Sequence, residues 1–177
     1  MSQNSFLFSL SLFALLTACA GQMPKTHDEF RSQLQQHPNM MGVRIEKFEV
    51  DRPMPQTAQF VKKKSDECLN HTIRVTSSTS SGGMLTSFSD SLVKYQPRAN
   101  ISAAKATVYT TELYMNIKGE PMQEPYYTFV ADFIPVTKKK TKVELYYIWG
   151  EPRPLVAKAI KAWATGTDVG CPNLSKR

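Results

Sequence analysis

The sequence predicts an α+β domain: an antiparallel sheet of about five strands with helices packed mainly on one face. Three observations carry this. Apolar residues recur at helical spacing near the start of the chain, between two strand-like runs and at its end, while much of residues 106–149 alternates with a period of two. Short polar links cut that alternating region, and strands joined by such links pair antiparallel. Helices that precede and follow such a meander then cover one side of it. A chain of 177 residues suits one domain rather than two, and residues 26–177 are expected to form it.

Thr26 opens the first helix, from about 27 to 36, as the N-cap of a capping box whose partner is Glu29. Phe30 and Leu34 follow one turn apart, and Pro38 and Asn39 end it. Val43 and Ile45, then Phe48 and Val50, alternate with opposite parity, which predicts a strand with a bulge. Pro53 and Pro55 interrupt the chain before Thr57; from there Phe60, Val61, Ser65, Cys68 and Leu69 mark a second helix with Cys68 facing inward. Ile73 and Val75 predict a strand, and the Ser/Thr tract 76–83, ending in Gly82-Gly83, a loop. The first strand, second helix and next strand have the order of a right-handed crossover.

Residues 85–95 read as strand. The firmest strand is 106–117, with Tyr109, Thr111, Leu113, Met115 and Ile117 on one face. Lys118-Gly119-Glu120-Pro121 makes a turn before strands at 126–134 and 143–149, which are joined by a polar tip from Thr137 to Lys142. Leu155, Ala159, Ile160 and Trp163 mark a last helix that Gly166 can cap, with Cys171 just beyond it.

The composition, 41% apolar and 21% charged, excludes collagen-like, coiled-coil and wholly disordered chains. Residues Phe6 to Ala18 carry no charge but are too few for a spanning helix, which needs about 20; they suit the apolar region of a signal peptide. The segment ends in Leu16-Thr17-Ala18-Cys19, which resembles the lipobox of bacterial lipoproteins. The resemblance covers only the first 20 or so residues and departs from the pattern at residues 1–5, which hold no Lys or Arg. It implies cleavage after residue 18, lipidation of the Cys19 sulfur, acyl chains that hold the protein on a bilayer, and a tether of residues 19–25. Ala20, where an Asp would be the usual inner-membrane retention signal, implies the outer membrane, periplasmic side. In that oxidising compartment the remaining cysteines, Cys68 and Cys171, are expected to form a disulfide closing a loop of about 100 residues.

Few residue patterns in the chain point to chemistry. His27, His37 and His71 have no zinc-ligand spacing, and no cofactor motif is present, so neither metal nor cofactor is expected. Ser91-Leu92-Val93-Lys94 and Ser102-Ala103-Ala104-Lys105 spell Ser-x-x-Lys, but in strand or loop the two side chains would not meet as they do on a helix. Asp132 and Glu144 fall inside neighbouring strands and are the candidate pair for glycosidase work. Tyr109, Tyr114, Tyr126, Tyr127, Phe129, Tyr146, Tyr147 and Trp149 crowd the strands on both parities, so an outward row could meet a partner or stack sugar rings. The net charge of +7 is concentrated in Lys62-Lys63-Lys64 and in Lys138-Lys139-Lys140 with Lys142, a candidate anionic-surface site. The periplasmic address removes nucleic acid and leaves anionic glycolipid or another envelope protein. The expected function is a non-enzymatic envelope-assembly or interaction module; a cell-wall or glycan hydrolase and a small-ligand carrier stay open beside it.

Overall fold

The computed structural model describes residues 23–81, 84–150 and 152–175, and for residues 77–81 and 84–89 the backbone alone. The expected signal peptide, Cys19 and the first tether residues lie outside the described residues, as do Gly82 and Gly83. The elements in order are α1 (His27–Gln36), β1 (Val43–Val50), α2 (Met54–Leu69), β2 (Thr72–Ser81), β3 (Met84–Ile101), β4 (Ala106–Met115), β5 (Tyr126–Thr137), β6 (Lys140–Ile148) and α3 (Arg153–Thr165). The strands form one antiparallel sheet of six, in the order β1-β6-β5-β4-β3-β2. The α+β antiparallel architecture is as expected; the sheet has six strands against the expected five or so, and each falls on one of the six strand-like runs of the sequence.

The crossover expectation fails. β1 and β2 occupy opposite edges and, five antiparallel steps apart, run in opposite directions. The meander β2 to β6 returns to the start of the chain and pairs its last strand with β1, so α2 carries the chain across the whole sheet face instead of linking parallel neighbours.

α2 and α3 cover one face of the sheet and α1 part of the other, and this explains the change of apolar parity in β1. Val43 and Ile45 pack under α1 with Phe30, Leu34, Val130 and Tyr146. Phe48 and Val50 point the other way, to the core that α2 and α3 build with Val61, Leu69, Ile160 and Trp163 against Val93, Val108, Phe129, Phe133 and Leu145. The β1–β6 register is continuous from Val43↔Ile148 to Val50↔Thr141, so there is no bulge. A change of apolar parity arises equally when α1 covers one end of one face and α2 and α3 the other end of the other.

Boundaries also move: β3 runs on to Ile101 rather than ending near 95, and β5 reaches Thr137 and β6 starts at Lys140, so the expected polar tip from Thr137 to Lys142 shrinks to a tight turn. α2 starts at Met54 rather than Thr57, because a proline in the first turn lacks only an N–H that the helix leaves unpaired there. β4 ends at Met115 rather than at 117, and Ile117 is exposed in the turn that follows. Within the tract, residues 76–81 are not a loop: β2 runs to Ser81 and pairs with β3 down to Ser81↔Met84, with one register shift between Thr79 and Ser80. Serine and threonine favour turns by local hydrogen bonding, but a partner strand offers the same backbone groups a ladder. β4 meets β3 only from Leu92 to Ile101, so the rest of this hairpin extends past the end of β4 as two strands.

Two ends are closed as the sequence predicts. Thr26 Oγ1 accepts the Glu29 N–H at 3.1 Å, although the Glu29 carboxylate turns to the Lys25 N–H at 2.7 Å. Gly166, at φ +91°, closes α3: its N–H reaches Trp163 O and the Thr167 N–H reaches Ala162 O, both at 2.9 Å. Cys68 and Cys171 are joined by a disulfide with Cα atoms 5.0 Å apart. It fastens the C-terminal segment to α2, where Leu174 enters the core.

Candidate functional site

The acids singled out from the sequence do meet. Asp132 and Glu144 are direct partners across β5 and β6, on the face that α1 covers. Asp132, 1% exposed, accepts from Thr107 Oγ1 at 2.7 Å on one oxygen and from Arg31 Nη1 at 2.5 Å and Lys105 Nζ at 2.7 Å on the other. Glu144 accepts from the Tyr146 hydroxyl at 2.5 Å and faces Lys142 at 2.7 Å and Lys47 at 3.4 Å. Tyr146 in turn accepts from Gln35 of α1 at 3.0 Å. Burial pushes the Glu144 carboxyl up, but the hydrogen bonds from Lys142 and Tyr146 and the Lys47 charge outweigh it and hold it down at about 2.

This arrangement is a clasp. A glycosidase acid needs a carboxyl held protonated near neutral pH, which burial without cations provides. Here the environment of Glu144 does the opposite, and Asp132 has both oxygens occupied by side chains that tie α1 (Arg31) and the β3–β4 turn (Lys105) to the sheet. A third buried carboxylate works the same way on the other face: Glu112 takes Arg153 of α3 at 3.3 Å and the Tyr126 hydroxyl at 3.1 Å. The Ser-x-x-Lys matches dissolve likewise. Ser91 and Lys94, three residues apart on a strand, point to opposite faces, and the Ser102 hydroxyl bonds the Lys105 backbone while the Lys105 amine sits on Asp132.

The lysine runs are mostly neutralised by their own neighbours. Lys62 pairs with Asp66 at 2.5 Å, Lys63 with Glu67 at 3.8 Å, and Lys64 with Glu67 and with Asp168 at 2.6 Å. On the sheet, Lys140 pairs with Glu49 at 3.2 Å and Lys142 with Glu144. Among the described residues, Lys138 and Lys139 are exposed at the β5–β6 turn with no carboxylate in ion-pair range. The two runs are not joined into one surface by any ion pair or cleft among the described residues. No grouping of His, Cys, Asp and Glu among them could hold a metal ion.

The open surface lies elsewhere, and follows from how α1 sits. α1 packs on β1, β5 and β6, and only its first turn reaches further: the His27 ring lies 4.9 Å from Tyr109, with His27 Nε2 3.1 Å from Asn100 Nδ2. The β3–β4 half of that sheet face is left uncovered. A trough of about 240 Å³ runs along it, lined by Lys25, Gln96, Arg98, Tyr109, Thr111 and Tyr127. Tyr109 and Tyr127 form its floor with ring centres 5.6 Å apart. Beyond His27, a second cleft of about 350 Å³ is lined by Arg31, Asn100, Ser102, Lys105 and Thr107.

The aromatic crowding of the strands therefore resolves by face. Tyr114 stacks on Tyr126 and Phe129 on Tyr147 towards α2 and α3, whereas Tyr109, Tyr127 and Tyr146 lie towards α1. Sequence reasoning named Tyr109 and Tyr127 but missed Arg98, Gln96 and Arg31. A signal existed: Lys94, Gln96, Arg98 and Asn100 alternate with Val93, Tyr95 and Ala99, the pattern of a strand with one wet face. No helix among the described residues is long and apolar enough to cross a membrane. No protein-family model matches the chain, and neither does any curated protein at a significant level.

Proposed function

We propose that the chain is an outer-membrane lipoprotein, anchored through Cys19 on the periplasmic side, and that it works without catalysis as an interaction module whose trough engages an anionic glycan of the envelope. The trough carries this reading. Its floor of two tyrosine rings suits the apolar faces of sugars, and Lys25 and Arg98 at its rim suit their carboxylates or phosphates. The paired state of Asp132, Glu144 and Glu112 supports binding over hydrolysis, since each carboxylate is already tied to another element: Asp132 to α1, Glu144 to β1 through Lys47, and Glu112 to α3.

The test is co-sedimentation of the membrane-extracted, detergent-solubilised protein with purified peptidoglycan. Wild type is expected in the pellet, Arg98→Glu and Tyr109→Ala in the supernatant, and the control Lys158→Glu, on α3 behind the sheet, in the pellet. Equal sedimentation of all four, or none of wild type, refutes the glycan reading. The intact mass of the same preparation tests the anchor: a chain beginning at Cys19 with acyl groups supports it, and a mass without lipid removes it.

A further inference from the structure

Exposed apolar side chains collect at one end of the sheet. Met40 and Met41 lie in the link from α1 to β1, and Trp149 directly follows β6, its N–H bonded to Gly42 O. Ile117 and Met122 lie in the link from β4 to β5, where the Met122 N–H reaches Tyr114 O. The register puts these links at the same end, because Val43 pairs with Ile148, and Met115 and Tyr126 are the last and first residues of β4 and β5. Met23 joins them: with Pro24 and Lys25 it lines a groove against Gln123, Pro125 and Tyr126. All six side chains are more than half exposed, and they are six of the nine large apolar residues that are exposed among the described residues.

We propose that this end of the domain rests on the lipid bilayer, with Trp149 and the surrounding methionines and Ile117 in the headgroup region. The inference rests on the Cys19 anchor proposed above and adds what the anchor alone does not fix, which is the side of the domain that meets the membrane. The chain leaves the described structure at Met23, within this apolar end. Four residue steps separate Met23 from Cys19, and a chain of that length spans at most about 14 Å however it is arranged. An anchor so short leaves this end little room to stand away from the membrane. Solvent-exposed Trp, Met and Ile gain by entering the interface, and an indole, apolar with one N–H donor, suits that zone. The charged residues among them, Lys25 beside Met23 and Lys118, Glu120 and Glu124 on the β4–β5 link, are exposed and can stay in the headgroup water. The β2–β3 hairpin leaves the sheet at the same end, and its sequence from Val75 to Ser89 contains no charge to desolvate. In this pose the trough begins beside Lys25, next to the membrane-facing end, and runs along the sheet away from it towards Arg98 and Tyr109.

The chain supplies its own probe. It has two tryptophans, and Trp163 is fully buried while Trp149 is 56% exposed. The protein extracted from its membranes is reconstituted into phosphatidylethanolamine and phosphatidylglycerol vesicles, with and without lipids spin-labelled near the top of the acyl chain. The expected result is quenching that Trp149→Phe abolishes and that Met41→Asp, at a side chain 96% exposed, weakens without lowering Tm. Protein that carries acyl chains and floats with the vesicles, yet shows no quenching, overturns this inference and leaves the anchor standing. Quenching unchanged in Trp149→Phe overturns it as well. A mass without acyl chains removes the anchor; quenching of such protein by added vesicles would still support the contact surface, and its absence would end both.

Discussion

Replacing Asp132 with alanine tests whether this carboxylate is a clasp. Its side chain is buried and accepts from Thr107, Arg31 and Lys105. Breaking a buried ion pair costs about 3–5 kcal/mol when the abandoned charge is trapped. Arg31 and Lys105 are not trapped: their side chains are 22% and 34% exposed, and Arg31 keeps Asp28 at 2.7 Å. The loss should therefore be nearer about 2–3 kcal/mol. At about 2–4 °C per kcal/mol for a chain of this size, Tm should fall by about 4–12 °C. Arg31→Ala leaves Asp132 two of its three partners and should cost about 1–2 kcal/mol, and the double variant should lose about 1 kcal/mol less than the sum because the two deletions share one interaction. Urea unfolding of the four proteins at neutral pH, followed by circular dichroism, measures this. An Asp132→Ala variant as stable as wild type, or strictly additive losses, would refute the reasoning.

Acid should weaken the fold through Glu144. Its carboxyl is depressed from an ordinary 4.5 to about 2, so the stability it contributes is complete above the ordinary value and is lost as pH falls towards 2. With Lys47 and Lys142 half exposed, that contribution is about 2 kcal/mol, and Glu144→Gln should flatten the acid limb of a stability-against-pH curve; an unchanged limb contradicts the pairing. Reduction of Cys68–Cys171, which spans 103 residues, should cost up to about 4.7 kcal/mol in urea unfolding, and alkylation of denatured protein at these two residues should require prior reduction. Gly166→Ala forces a side chain into the left-handed region, with its Cβ 2.9 Å from Arg52 Nη1, and should cost about 1–2 kcal/mol in the same assay; no loss would mean that α3 ends differently.

Elements whose signals are local could be read from the sequence. Thr26, Gly166 and the alternation of residues 106–115 each state a preference within a few residues, and the structure follows them. What failed depended on a partner far along the chain. The parity change in β1 looks like a bulge until α1 is known to cover one face and α2 and α3 the other. The end of β2 could not be read as strand because nothing in Thr76-Ser77-Ser78-Thr79-Ser80-Ser81 shows that β3 lies beside it. The candidate site was half legible. Asp132, Glu144, Tyr109 and Tyr127 stood out by residue type, but whether an acid is a catalyst or a clasp depends on Arg31, Lys105 and Lys47, which reach it from α1, a turn and β1. The trough exists only because α1 stops short of β3, and helix position on a sheet leaves no mark in a single sequence.

The Cys68–Cys171 link also decides what happens when the backbone is cut. A protease acting once between these residues, for instance in the two-stranded stretch of β2 and β3 that β4 does not flank, yields two pieces on a reducing gel and one on a non-reducing gel. The downstream piece, with Arg98, the trough floor and α3, stays bound covalently to the upstream piece and so to whatever holds the N-terminus. Nicked molecules would persist at their place of work instead of shedding half a domain, and fragments would be released only after reduction.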